Sequence, residues 1–298
     1  MLISIIIVNW NRIDDMRETL KSLESQTYRN YEIVVVDNGS TDGSKNKLPL
    51  EFPKIHLISL DENLGCEEGF NIGMENSNGD IFFYLDSDAS LDNDVLEKTA
   101  KEFLENKNLG ILDPRIINPH SSQIINEPKY WPRKNHFTGC AAAIRRSVID
   151  EIGMRPSEYF IYTSEPDICL RTINAGFEIK HFSSIVAYHR ESPTKRLSKK
   201  FFYYFTRNGL WLIWKFYPVL PAIKETFFHL LFNFYKSLTS SSLNFFFKGL
   251  FEGIYGIKEN ALSKRNPILR YDEARLYPKL PTLLQILKNK FMDRLKKI

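Results

Sequence analysis

The sequence predicts an α/β protein: a mainly parallel β-sheet with flanking helices, followed by a separate helical region. Three observations carry this expectation. Apolar runs of β type alternate with helical patterns through the first 115 residues, as in sheets built from right-handed β-α-β crossovers. Polar residues gather just past the ends of several of those runs, where such sheets hold their ligands. Beyond residue 195 the composition turns basic and aromatic.

Taken in order, Leu2–Val8 is a continuous apolar run of the kind that is covered on both faces. Asp14–Gln26 follows as a helix with Met16, Leu20 and Leu23 on one stripe. Tyr31–Val36 is the second strand and ends in the turn cluster DNGSTDGS. Ile55–Ser59 is the third strand, and Glu67–Asn76 reads as a helix despite its glycines. Asp80–Leu85 is the fourth strand, Leu91–Asn106 an amphipathic helix with Asp92 as its cap, and Leu109–Asp113 the fifth strand. Pro114–Lys134, rich in Pro, Asn and Ser, reads as a long surface loop. The small residues of FTGCAAAIR, Phe137–Arg145, suggest a strand whose backbone is closely approached. Short helices are expected at Ser147–Ile152 and Glu165–Ala175, the latter with Pro166 in its first turn. Two short strands, Glu178–Phe182 and Ile185–Tyr188, lead to His189.

The chain divides by charge. Residues 1–189 hold 19 Lys/Arg and 29 Asp/Glu, a balance of −10, whereas residues 190–298 hold 21 and 7, a balance of +14. The second part also contains 13 of the 22 phenylalanines. We therefore expect two domains, 1–195 and 196–298. In the second, helices lying against an anionic membrane surface compete with an ordinary aromatic core. No RNP motif or zinc finger accompanies the basic charge, which argues against nucleic acid. Three scattered cysteines make no disulfide framework, and the N-terminus lacks the features of a signal peptide. A cytoplasmic protein, peripheral at the inner face of the membrane, is the expectation.

The stretch YLDSDAS raises the chemical question. Two carboxylates about 4 Å apart repel by roughly 4 kcal/mol at an effective dielectric of about 20. A bound divalent cation would relieve Asp86 and Asp88, and a solvated turn is the other reading.

Five segments in register resemble family 2 glycosyltransferases: VNWN at 8–11, VVVDNGSTDGS at 34–44, ENLGCEEGFNIG at 62–73, YLDSDA at 84–89 and SEPDICLRTINAGF at 164–177. The resemblance covers residues 2–210 and points toward bacterial cell-surface polysaccharide enzymes of the rhamnosyltransferase-like group. It implies the GT-A fold, a nucleotide-sugar donor (UDP-, GDP- or dTDP-linked), Mg²⁺ or Mn²⁺, and inverting transfer to a saccharide or polyprenyl-linked acceptor. It implies that Asp37 binds the nucleotide base, with Asn9 and Asn11 lining the same pocket. Asp86 would bind the donor ribose and share the metal with Asp88 and His189, while Glu165 would be the general base. Gly139 and Cys140 would wall the acceptor side, with Asp167 and Arg171 near it; Arg171, Arg207 and Asn208 would meet phosphate groups. The chain departs from the family in Cys66, Glu67 and Glu68, in Phe70, which leaves Asn71 as the polar candidate for the phosphates, and in Ser164, where relatives carry an acid. Those departures leave a non-catalytic nucleotide-sugar-binding protein as an alternative. A sugar-nucleotide nucleotidyltransferase is the other, although VNWNRIDD lacks its basic Gly-rich loop.

Overall fold

The computed structural model describes residues 1–126, 136–190 and 199–268, which fall into two compact units, the first ending by residue 190 and the second beginning at 199. The division expected between 195 and 196, and the end of the loop expected at Pro114–Lys134, lie outside the described residues.

In the first unit, eight strands form one mixed sheet. They are β1 (Ile3–Asn9), β2 (Tyr31–Asn38), β3 (Ile55–Leu60), β4 (Ile81–Asp86), β5 (Ala89–Leu91), β6 (Leu109–Ile117), β7 (Ala141–Arg145) and β8 (Glu178–His189), in the order β3-β2-β1-β4-β7-β6-β8-β5. The β3-β2-β1-β4 half is parallel throughout. Beyond it, β7 runs antiparallel to β4 and β6, β8 parallel to β6, and β5 antiparallel to β8. Strands β1, β2 and β4 are buried along nearly their whole length, which is why they read as continuous apolar runs, whereas β3 at the edge is only partly covered.

Helices α1 (Ile13–Glu24), α2 (Ser44–Glu51), α3 (Cys66–Glu75), α4 (Val95–Glu105), α5 (Arg146–Ile152) and α6 (Ser164–Asn174) accompany the sheet. Helix α1 follows water-solvated logic: Met16, Leu20 and Leu23 are buried while Asp14, Asp15 and Lys21 occupy its ends. Helix α3 lies close on β1 because it carries glycine at the contact. A Cβ at Gly73 would overlap Ile6, and one at Gly69 would come within 2.7 Å of Val8.

The sheet differs from the expectation at four places. The DNGSTDGS cluster runs into α2, which tolerates Pro49 inside it. Leu91 belongs to β5, and α4 starts at Val95 after Asp94 instead of after Asp92. Strand β6 continues through Pro114 to Ile117, with a register shift after Pro114 that accommodates the missing donor. The two short strands after α6 are one bulged strand, β8.

In the second unit the described residues form helices α7 (Lys199–Phe216), α8 (Val219–Thr239) and α9 (Leu243–Tyr255) and a terminal π-helical turn. Pro218 precedes α8 and Pro221 sits in its first turn, where no intrahelical N–H is lost. Among the described residues, no helix is long and apolar enough to cross a membrane.

Candidate active site

Strands β1, β2 and β4 deliver their carboxyl ends to a common edge. There an open cavity of about 330 Å³ is lined by Val8, Trp10, Arg12, Asn38, Asn63, Cys66, Asp86, Ser87, Asp88, Phe160, Ile161 and His189. Asp86 closes β4, where its N–H is held by the Cys140 carbonyl at 2.9 Å. The chain then turns through Ser87 and Asp88 into β5. Its antiparallel rung Ala89↔His189 brings His189 beside both aspartates.

His189 Nε2 stands 3.1 Å from Asp88 Oδ1 and 3.8 Å from Asp86 Oδ2. Arg12 Nη1 donates to Asp88 Oδ2 at 2.9 Å. Among the described residues, Asp86, Asp88 and His189 are the group whose ligand atoms cluster, all within 4.8 Å of one another. Adjacent ligands of an octahedral cation with bonds of about 2.1 Å lie about 3 Å apart and opposite ones about 4 Å apart; the 3.1 and 3.8 Å separations from His189 fall in that range, and the hard oxygen and imidazole donors suit such an ion. The two carboxylates differ electrically. Burial would raise Asp88, but its hydrogen bond and charge contact with His189, and the charge of Arg12, hold it below its ordinary range. Asp86 keeps 37% of its side chain open to the cavity. Loss of solvent and then the Asp88 charge push it well above the usual carboxylate range, against the pull of His189.

At the ends of β1 and β2 lies a second polar group. Asn9 Nδ2 donates to Asp37 Oδ1 at 3.1 Å and to Ser40 Oγ at 3.3 Å. Asn9 Oδ1 and Asp37 Oδ2 are buried acceptors with no hydrogen-bond partner among the described residues. Such atoms await a donor. Asn11, in the left-handed region at φ 55°, accepts from the Thr41 N–H at 2.7 Å and ties the β1–α1 and β2–α2 loops together.

Glu165 enters from the first turn of α6. Gly139 makes room for it, since a Cβ there would overlap the Glu165 carboxylate. Beneath it lies a residue that no sequence pattern marks, the buried Arg155. Its guanidinium bonds Glu67 Oε2 at 2.7 Å and Ser164 Oγ at 2.9 Å, and reaches Glu165 Oε1 at 3.8 Å. It packs over the rings of Phe70 and Tyr84, each 4.8 Å away. Two departures noted in the sequence thus meet here: the carboxylate absent at Ser164 has a neighbour in Glu67, and Phe70 supports the guanidinium. Burial pushes Glu67 above its ordinary range, opposed by Arg155.

The remaining candidates lie elsewhere. Asn71 uses its side chain for two 3.0 Å hydrogen bonds with the backbone of Arg155 and, like Asn9, Asn11, Asp37 and Glu165, is not among the residues that line the cavity. Asp167 is buried against Arg171 Nε at 2.6 Å, and Arg171 donates on to the carbonyls of Ile152, Gly153 and Met154. This pair fastens α6 to the turn after α5. Arg207 and Asn208 belong to the second unit, where Arg207 packs over Tyr203, Tyr204 and Trp211.

Phe160, Tyr162 and Thr163 occupy the left-handed region, at φ 65°, 66° and 72°. Each costs on the order of 1–3 kcal/mol and needs its surroundings to hold it. The Phe160 carbonyl accepts the Cys66 N–H at 2.7 Å, capping α3 and fixing the loop as one wall of the cavity. Besides Arg155, the sequence reading missed Arg12, whose only signal is its place just after VNWN.

The dTDP-rhamnosyl transferase RfbF of Shigella flexneri is 27% identical over 262 residues, covering 76% of this chain and 85% of that protein. Glycosyltransferase AglE of Haloferax volcanii is 25% identical over 221 residues, covering 67% and 70%. In fold, the chain is similar to the mannosyltransferase PcManGT from Pyrobaculum calidifontis, solved with GDP-Man and Mn²⁺ (TM-score 0.60, 16% identity, 97% of this chain and 79% of that one). It is also similar to Staphylococcus aureus TarS 1–349 solved with UDP-GlcNAc (TM-score 0.62, 15% identity, 89% and 84%). A longer TarS chain is matched over 40% of its length. The family model for glycosyl transferase family 2 matches residues 4–153, from the first strand past the paired aspartates, and the chain belongs to that family.

Proposed function

We propose that the protein transfers a sugar, with inversion, from a nucleotide-sugar donor to a saccharide or polyprenyl-linked acceptor during cell-surface polysaccharide synthesis, at the inner face of the membrane. The observation that carries the reading is the convergence of Asp86, Asp88 and His189 on one cavity edge. The likeness to the dTDP-rhamnosyl transferase of Shigella flexneri supports the biosynthetic setting.

The residues have separate tasks. Asn9 and Asp37 offer two unsatisfied acceptors, suited to a base N–H. Asp86, Asp88 and His189 would hold Mg²⁺ or Mn²⁺. When bound, that cation supplies positive charge opposite the diphosphate of the leaving group. Arg12 and His189 keep Asp88 ionised, so its ligand atoms stay available. Glu165 takes the proton from the acceptor hydroxyl. That oxygen then bonds the anomeric carbon, and the bond from this carbon to the phosphate oxygen breaks with its electron pair leaving on the nucleoside diphosphate. Arg155 acts through Glu165 as a positioning residue, and Phe160 and Trp10 narrow the cavity around the reacting sugar.

Thermal shift against UDP-, GDP- and dTDP-sugars, with and without Mn²⁺, tests the reading. One donor should raise the melting temperature only with metal present, and Asp88→Asn should abolish that rise. Metal-independent stabilisation, or none with any donor, would overturn it. Glu165→Gln should lower kcat by about 10²–10⁴ while the donor-induced shift survives. Unchanged turnover would remove Glu165 from the role of base.

A further inference from the structure

Helix α8 is built inside out. Its buried positions are Ala222 and then Glu225, His229, Asn233 and Ser237, the last four a polar ladder at four-residue spacing. The opposite face carries Ile223, Phe227, Leu231 and Leu238, all exposed, with Leu231 at 52%. A helix standing in water buries its apolar stripe and solvates its polar one. The reverse arrangement is stable where the surroundings are themselves apolar, because polar groups then turn inward to find partners. His229 Nε2 meets the Thr206 carbonyl of α7 at 3.1 Å, and Asn233 Nδ2 donates within α8 to the His229 carbonyl at 2.8 Å.

Helix α9 repeats the pattern. Gly249 and Gly253 face inward, a Gly-x-x-x-Gly pair, and Phe247, Phe251 and Tyr255 face outward. A Cβ at Gly249 would overlap the Tyr203 carbonyl of α7, and one at Gly253 would press on Leu210 at 2.7 Å. On α7, a Cβ at Gly209 would overlap the His229 ring. Contacts made by glycine and polar residues, with large apolar side chains outside, are how helices associate in lipid. Phe234 joins the two outward faces, its ring centroid 6.4 Å from that of Phe247.

Extending the membrane placement in the proposed function, and resting on it for the compartment, we propose that the outward face of α8 and α9 seats in the acyl layer of an anionic membrane leaflet, inserted from one side. The depth is set by the helices themselves, since none of those described can cross. Lysines at the margin, such as the exposed Lys224 and Lys248, reach back to headgroups. The balance of +14 over residues 190–298 attracts such a leaflet and repels a second copy of the same surface.

Flotation of the full-length chain with phosphatidylcholine vesicles containing about one-third phosphatidylglycerol tests this without sugar transfer, so it can fail while the transferase reading stands. The chain should float, and stay bound in about 1 M salt, where the Debye length is about 3 Å and charge alone no longer holds. The double variant Leu231→Glu with Phe251→Glu alters only exposed positions. It should keep its lipid-free melting temperature and bind at least about tenfold more weakly. Three results would overturn the proposal: no flotation of the wild type, binding that vanishes in high salt, or a wild-type dimer in ultracentrifugation that the double variant splits with no vesicle binding by either. The salt result is read on the wild type alone and stands even if the variant misfolds.

Discussion

Helices α1 and α8 turn opposite faces inward. Helix α1 buries Met16, Leu20 and Leu23 and shows its charges to solvent, whereas α8 buries Glu225, His229 and Asn233 and shows leucine and phenylalanine. In the first unit the exposed large apolar residues, Trp10, Leu50, Leu64, Leu104 and Met154, are scattered, as on any soluble protein. In the second they line up from Val219 to Leu262, and a contiguous patch has a purpose. The contrast teaches that burial, not hydrophobicity alone, reports the medium for which a helix was built.

The contrast can be broken or sharpened by measurement. The largest effect is expected where the first unit does bury charge. Arg155→Met leaves Glu67 buried without its partner and should cost about 3–5 kcal/mol in chemical denaturation. Next, Leu20→Ala empties part of the core beneath the sheet and should cost about 2–5 kcal/mol.

The buried ladder of α8 should respond to acid. Burial lowers the His229 pKa from 6.5 to about 4, against its carbonyl contacts with Thr206 and Phe205. As pH falls below 6.5 the unfolded chain takes up a proton that the folded chain refuses. The His229 contribution is therefore full above pH 6.5, declines between 6.5 and 4, and is constant below. The loss is about 3 kcal/mol. The difference in denaturation between wild type and His229→Gln, followed over this window, reads it; a flat difference would deny the ladder its burial. The smallest effect belongs to Leu231→Ala, which should change lipid-free stability by no more than about 0.5 kcal/mol. A cost resembling that of Leu20→Ala would show that the outward face is covered in water and would erase the contrast.

Much of the parallel half of the sheet was legible because strands buried on both faces leave unbroken apolar runs, as in ISIIIVN and YEIVVVDN. Asp86 and Asp88 stood out because two carboxylates one residue apart at a strand end ask for a compensating charge, and because YLDSDA stands in register with four other segments of the resemblance. Helix α2 did not stand out, since Gly43, Ser44 and Pro49 are turn residues by local preference and only tertiary contact around Leu48 makes them helical. Arg155 was invisible for a different reason. Its partners, Glu67, Ser164 and Glu165, come from two helices, and no spacing along the chain announces a guanidinium between them. The composition of the second unit suggested lipid, but the sense of α8 rests on Gly209 admitting His229, a three-dimensional fact.

The rung between Ala89 and His189 has a temporal meaning. Asp88 and His189 lie 101 positions apart and become neighbours when β5 pairs with β8, the last strand of the unit. A nascent polypeptide still threaded through the ribosome at residue 150 has both aspartates and no imidazole to join them. The trio is thus brought together only once the last strand of the sheet has been made, so a chain cut short before residue 189 keeps both aspartates and lacks the imidazole that stands beside them.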